Sequence, residues 1–363
     1  MGPEEEQAEI QSSQELFAQL GEGEKAWRDR QPFLQSRGYM LRPRYRPGWV
    51  PSWKGTNRHP IDFEDHIRLP IRRHLIDATR IEGGQIVYIK RVKTNDAEST
   101  IATLLRAPPL RDNPANHCVP ILDLFEDDVD SSISYMVMPF LRLIDSPEFE
   151  TVDNLIDCAD QLLEISNDPD TDCTYRNILM EATALFPKSF HPVYDELLPD
   201  GYTPAPILSR ICVPVKYYYV DFGISVFIPP DVHPKLAIGP HGRDKEVPEL
   251  SETVPYDPFK VDIFILGNFF RRYFYDKFSN VDFFLPLIRS MTQEVPTSRP
   301  TAAEALAQWK TIRCRVSAVH RAWKPRARED PWFARVGYDV YALFRTVYYG
   351  GRYIVERSSE LQG

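Results

Sequence analysis

Residues 217–223 read Tyr217-Tyr218-Tyr219-Val220-Asp221-Phe222-Gly223, an apolar, strand-forming run that stops at a carboxylate, an aromatic ring and a glycine. Upstream, Asp172 and Asn177 stand five residues apart in Asp172-Cys173-Thr174-Tyr175-Arg176-Asn177, ahead of the apolar Ile178-Leu179-Met180. Further back, Lys90 closes a second strand-like run, Val87-Tyr88-Ile89-Lys90. A lysine in a strand or an aspartate before an aromatic is usually structural. The informative feature is all three in this order.

The chain has 363 residues, 43 Lys+Arg against 52 Asp+Glu for a formal charge of −9, 43% apolar and 26% charged residues, and 32 prolines. At roughly 150 residues per domain this length predicts about two domains, or one domain of two lobes, with ample core. The composition excludes a disordered or a fibrous chain, and the proline content predicts long, ordered connections. Cys118, Cys158, Cys173, Cys212 and Cys314 are odd in number and form no Cys-x-x-Cys pair, so neither a disulfide framework nor a zinc site is expected. No signal region opens the sequence, and the most membrane-like stretch, 336–355, is broken by Asp339, Arg345 and Arg352. The expectation is a soluble, intracellular protein without a transmembrane segment.

Residues 1–25 are acidic and apolar-poor, expected to be disordered apart from a short helical pattern at Ile10, Leu16, Phe17 and Leu20. Residues 26–60 interleave aromatics with arginines. Such a mix can stack on single-stranded nucleic acid. In an acidic chain without an RNA-binding motif it reads instead as an extended arm, its aromatics docked and its arginines in water, with no nucleic-acid partner. From 60 to 141 the pattern is mostly β: a Gly83-Gly84 turn, a strand with Ile86, Tyr88 and Lys90 on one face, a short helix over 96–106, and two strands joined by an acidic turn. After 150 it turns helical, which predicts an α+β protein. Residues 316–363 are basic at first and carry the stripe Phe333, Val336, Val340, Phe344 and Val347, read as a helix packed back on the preceding domain.

Taken in order, Lys90, the Asp172…Asn177 segment and Asp221-Phe222-Gly223 resemble the protein-kinase set. Phosphoryl transfer needs a cation on the phosphates, carboxylate and amide oxygens on magnesium, and a base at the incoming hydroxyl. Downstream, Val247-Pro248-Glu249 resembles the Ala-Pro-Glu that closes a kinase activation segment, and Asp262…Gly267 the Asp-x-x-x-x-Gly of the central large-lobe helix. Ser298-Arg299-Pro300-Thr301-Ala302 resembles the late Arg-Pro-Thr-Ala motif. The resemblance spans residues 60–315 and is closest to a group of fungal protein-kinase-domain proteins with a long, Pro-rich insert after the catalytic loop.

It implies a two-lobed kinase-like fold: a small β-rich lobe over 60–141 and a larger helical lobe over 142–315, with the insert at 181–215. It implies ATP and Mg2+ as cofactors and a protein as substrate or binding partner. Lys90 would hold the α and β phosphates with Glu98 as its partner, Asp172 would accept the hydroxyl proton, and Asn177 and Asp221 would hold magnesium. Met138 takes the gatekeeper position, and adenine would bond to the Pro139 carbonyl and the Leu141 amide. Phe222, Gly223, Glu249, Asp262 and Arg299 are the structural motif residues, and Glu249 is expected to pair with Arg299. The implied activity is transfer of the γ-phosphate to a protein hydroxyl, Ser/Thr ahead of Tyr. The alternative is a pseudokinase acting as a binding or scaffold module. A small-molecule phosphotransferase of related fold is argued against by the Val-Pro-Glu and Arg-Pro-Thr-Ala features.

The sequence departs from the family in four places. No Gly-x-Gly-x-x-Gly precedes Lys90, and Glu98 lies only eight residues beyond it. The catalytic loop begins Asp170-Thr171-Asp172 rather than His-Arg-Asp, which removes the arginine that senses a phosphorylated activation segment. The helix before it stops at Ser166-Asn167-Asp168-Pro169, about two turns early. Three buried side chains lost there, at roughly 1.5–3 kcal/mol each, amount to about 5–9 kcal/mol. Either the insert fills that gap or the chain is a degenerate relative. The insert itself, with Phe186-Pro187, His191-Pro192, Leu198-Pro199 and Ala205-Pro206, reads as a packed loop that covers a lobe, ahead of a platform for a substrate or partner.

Overall fold

Alternating burial sets the first half of the central strand over 86–93: Val87 and Ile89 are buried between the half-buried Ile86, Tyr88 and Lys90, while Arg91 and Lys93 at its far end are exposed. The computed structural model describes residues 2–68, 74–108, 110–164, 174–221, 232–239 and 244–331, with single positions 337, 340 and 344. The chain is α+β and divides into two units.

The first unit comprises Met1–Arg111, Val119–Leu141 and Glu181–Leu208. Its elements are α1 (Pro3–Ala18), α2 (Glu22–Ser36), β1 (Tyr39–Met40), β2 (Leu75–Arg80), β3 (Ile86–Lys93), α3 (Ala97–Arg106), β4 (Asp123–Glu126) and β5 (Ile133–Pro139). The five strands form one sheet in the order β1-β2-β3-β5-β4, every pair antiparallel. The tight β2–β3 turn needs left-handed backbone at Gly83 (φ 84°) and Gly84 (φ 66°), which glycine adopts without strain. Ile76, Ala78, Val87, Ile89, Phe125, Tyr135 and Val137 pack one sheet face against Trp27, Leu34, Tyr39, Leu41 and Tyr45. The register puts Leu75, Lys90, Met136 and Leu124 in one row of the opposite face, and Asp77, Tyr88 and Met138 in the next.

Three expectations for this unit are corrected. Residues 3–18 are helical rather than disordered: proline stands at the first helical position, Glu5 accepts the Gly2 N–H at 2.9 Å, and Glu4, Glu5 and Glu6 complement the helix dipole. Residues 26–60 are not an extended arm with solvated arginines. They begin within α2, and Arg44 is fully buried, its guanidinium bonded to Glu24 (2.7 Å) and to the carbonyls of Phe17, Gln19 and Asp65. A guanidinium's five donors can close several open chain ends at once, which an extended arm would leave to water. Third, insert residues 181–208 belong to this unit rather than to the helical one. They are a packed loop, with Leu185, Phe186, Phe190 and His191 buried and Gly201 turning at φ 82°.

The second unit comprises Asp112–Cys118, Arg142–Met180 and Ser209–Gly363. It contains β6 (Arg142–Leu143), α4 (Val152–Leu163), β7 (Ile178–Glu181), β8 (Lys216–Tyr219), β9 (Ala237–Gly239), β10 (Ser251–Tyr256), α5 (Pro258–Phe270), α6 (Leu285–Met291), α7 (Ala302–Arg313) and α8 (Ala318–Arg321). β6, β7 and β8 form a three-stranded sheet, and β9 pairs with β10. α5 is buried on nearly every side, Val261 and Ile263 through Phe270 included, so it is the spine of this unit. It approaches α6 at Gly267, where an added Cβ would lie 2.8 Å from Met291 Cβ and 2.9 Å from Thr292 Cγ2. A Gly267→Ala variant is therefore expected to lose about 1–3 kcal/mol in urea unfolding. An unchanged midpoint would show that the two helices separate freely.

Val340 and Phe344 are 50% and 72% exposed, so these two stripe positions are not packed back; the other stripe positions lie outside the described residues. Among the described residues no helix is long and apolar enough to cross a membrane. Cys118, Cys158, Cys212 and Cys314 are free thiols.

Candidate functional site

The first cluster is built on β3 and α3. The chain leaves β3 through Asn95, whose positive φ of 60° suits an asparagine. It then caps α3 with Asp96, which accepts the Ser99 N–H at 2.8 Å. That tight connection brings Glu98 back over the strand after only eight residues. The Lys90 ammonium donates to Glu98 Oε1 at 2.5 Å, with side chains 12% and 10% exposed. In such shelter a charged hydrogen bond is strong.

Met138 is buried in β5 opposite Tyr88, Pro139 ends that strand opposite Val87, and Leu141 is buried beyond it. The Phe140 N–H donates to the Ile86 carbonyl at 3.3 Å. The Phe140 ring stacks on Tyr88, centroids 4.3 Å apart and planes 20° from parallel. Phe190 meets Phe140 edge-on at 5.4 Å, and Phe186 meets Phe190 at 4.9 Å. Beside these rings Arg42 binds Asp77 at 2.9 Å and Glu64 at 3.3 Å, and His191 reaches Glu64 Oε1 at 3.2 Å. His191 Nδ1 accepts the N–H groups of Val193 and Tyr194 at 3.1 and 3.0 Å, so Nε2 carries the proton donated to Glu64. Burial works to raise the Glu64 carboxyl, and the bonds from His191 and Arg42 outweigh it, holding Glu64 below the usual glutamate range.

The second cluster lies in the other unit. Asn177 is buried at the end of a 3-10 turn over Tyr175–Asn177, and its carbonyl accepts the Val220 N–H at 2.8 Å. The backbone of the Tyr175–Asn177 turn thereby joins the strand tip that carries Asp221. The turn is anchored by Tyr175, which donates to Asp145 Oδ1 at 2.5 Å and stacks on Tyr273 at 4.2 Å. Asp221 has φ 69°, a left-handed backbone that costs a non-glycine residue about 1–3 kcal/mol and that recurs at functional sites. Asp172, Phe222 and Gly223 lie outside the described residues.

The third cluster closes the 244–249 segment. Arg299, its side chain fully buried, grips Glu249 with both terminal nitrogens, Nη2 to Oε2 at 2.9 Å. It also donates to the carbonyls of Gln293 (2.7 Å) and Lys260 (2.8 Å) and covers the Phe264 ring at 4.6 Å. Buried Asp244 accepts from Asn268 (2.7 Å) and from Arg272 (2.9 Å), and Glu246 binds Arg272 at 2.9 Å and Arg271. Asp262 and Gly267 both lie on α5.

No protein-family profile and no curated protein matches the sequence.

The structure thus joins Lys90 to Glu98, Asn177 to the strand tip of Asp221, and Glu249 to Arg299. Sequence reasoning gave no role to Tyr88, Phe140, Phe190, His191, Glu64 or Arg42. Period two already placed Tyr88 on the face of Lys90; the partners from 42, 64 and 190 are too distant in sequence for any local pattern to join them.

Proposed function

We propose that the chain is a protein-kinase-like phosphotransferase that moves the γ-phosphate of Mg-ATP to a protein hydroxyl. The observation that carries this reading is the sheltered Lys90–Glu98 pair on the central strand of a β1-β2-β3-β5-β4 sheet. A lysine fixed by a carboxylate keeps its charge and position for a phosphate. The left-handed Asp221 and the neighbouring Asn177 suit magnesium, which takes few protein oxygens and completes its shell with phosphates and water. That economy accommodates the lack, among the described residues, of any cluster of three or more metal-binding side chains. Magnesium would neutralise charge on the phosphates, Asp172 would take the hydroxyl proton, and Pro139 and Leu141 would bond to adenine. The Glu249–Arg299 pair supports a fixed platform for a protein substrate.

A second reading, a pseudokinase acting as a binding module, is favoured by one observation. Tyr88 projects a stacked ring onto the Lys90 face next to Phe140, and only a tight two-glycine turn precedes Lys90. Thermal unfolding with Mg-ATP separates the two. Saturation at a hundred times the dissociation constant is expected to add about 2.7 kcal/mol to the wild type and far less to Asp221→Asn. A wild type that gains nothing leaves only the binding module. If the nucleotide binds, phosphate transfer that survives Asp172→Ala removes Asp172 as the base.

A further inference from the structure

The ring stacked on Tyr88 belongs to the first unit, and the ring that meets it edge-on comes from the insert. Phe190 and His191 are 3% and 1% exposed, burial that is unusual for a loop between strands. Phe190 sits on Phe140, Phe140 on Tyr88, and Tyr88 is two residues from Lys90 on the same face. The adjacent residue, His191, is fastened to Glu64, which Arg42 ties to Asp77, the cross-strand partner of Tyr88. Below the fastening, the Leu208 N–H donates to the Leu185 carbonyl at 2.8 Å and closes the base of the loop. Gly201 Cα lies so close to Ile67 that an added Cβ would stand 3.1 Å from Ile67 Cδ1.

We infer that the 186–191 segment is an intramolecular cover, an aromatic plug with a histidine latch, that competes with a planar base for this sheet face. The inference rests on the nucleotide reading given under Proposed function. The chemistry of the two occupants is the same. A purine held beside Pro139 and Leu141 needs flat apolar surface from Tyr88 and Phe140, and Phe190 occupies one flank of that pair. The latch is releasable, because a single histidine hydrogen bond fastens Glu64, a carboxylate that keeps Arg42 when the histidine leaves. Nucleotide would then bind only the fraction of molecules with the cover lifted, and its apparent affinity falls by that fraction.

The test compares the full-length wild type with Phe190→Ala and His191→Asn. Asparagine retains an acceptor for the Val193 and Tyr194 N–H groups and loses the bond to Glu64. It therefore opens the latch in a protein whose loop still folds, should Phe190→Ala fail to melt cooperatively. If the cover is seated in nine molecules of ten, each variant is expected to bind Mg-ATP about tenfold more tightly by calorimetry. Equal affinity across the three proteins overturns the inference. A second readout decides the case where none binds Mg-ATP: the rate at which acetic anhydride acylates Lys90, followed by peptide mass spectrometry. Faster acylation in the variants then upholds the cover while the nucleotide reading falls. An unchanged rate removes the cover as well.

Discussion

An Arg299→Leu variant is expected to unfold with about 3–5 kcal/mol less free energy than the wild type. Arg299 closes a buried node: two nitrogens on Glu249, bonds to the carbonyls of Gln293, Lys260 and Glu294, and a cation over Phe264. Leucine replaces part of its volume and none of its donors. The Glu249 carboxylate, only 12% exposed, would be left without its cation, and the carbonyls of Gln293, Lys260 and Glu294 would each lose one donor. Breaking one side of such a pair costs more than the pair itself contributes, because the stranded charge keeps its desolvation penalty. Against a domain stability of about 5–15 kcal/mol the loss is large enough to lower expression as well as the urea midpoint. Arg58→Leu is the control, because its pair with Asp62 is 61% and 41% exposed and such surface pairs contribute about 0–1 kcal/mol. An Arg299→Leu loss no larger than that of the control would mean that water reaches Glu249 and that the node does not hold the 244–249 segment.

Local patterns made much of the fold legible. The Gly83-Gly84 turn and the one-face run of Ile86, Tyr88 and Lys90 marked β3, the run after the acidic turn marked β5, and the change to helical patterning after 150 marked α4, α5 and α7. The pairing of Glu249 with Arg299, fifty residues apart, came from the motif order and is a contact in the structure. Other features were hidden for physical reasons. The N-terminal acidic segment is helical because a cap and a proline start it and Gln14 binds the carbonyls of Thr56 and Arg58. Composition registers its charge and misses that tether. Arg42 and Arg44 read as solvated because arginine usually is, and their carboxylate partners at 24, 64 and 77 are too far off in sequence to be seen. Residues 181–208 of the insert were assigned to the wrong unit for the same reason: Phe190 and His191 find Phe140 and Glu64 across 50 and 127 residues.

Trp309→Ala is expected to cost about 3–5 kcal/mol, and it bears on what holds α4 in the second unit. α4 has twelve residues, with Val152, Leu155, Ile156, Cys158, Ala159, Leu162 and Leu163 buried. Of the insert, residues 181–208 belong to the first unit, while 209–215 belong to the second, where the Val215 carbonyl accepts from Gln161 on α4. Within the second unit α4 is secured from the C-terminal side and from β8. The fully buried Trp309 donates its indole N–H to Asp160 at 2.6 Å and stacks on Phe284 at 4.6 Å. Arg313 binds the other oxygen of Asp160, Arg321 binds Asp153 at 2.6 Å, and Gln161 is bonded to Val215 and Tyr217. Burial raises the Asp160 carboxyl above the usual range, with the bonds from Trp309 and Arg313 opposing it, so the carboxylate depends on these donors. Alanine would remove the ring and one donor together. Trp309→Phe keeps a ring on Phe284 and loses only the N–H, so it is expected to cost about 1–2 kcal/mol. Chemical unfolding of the two variants separates packing from hydrogen bonding. A Trp309→Ala loss below that of Trp309→Phe would show that α7 does not hold α4.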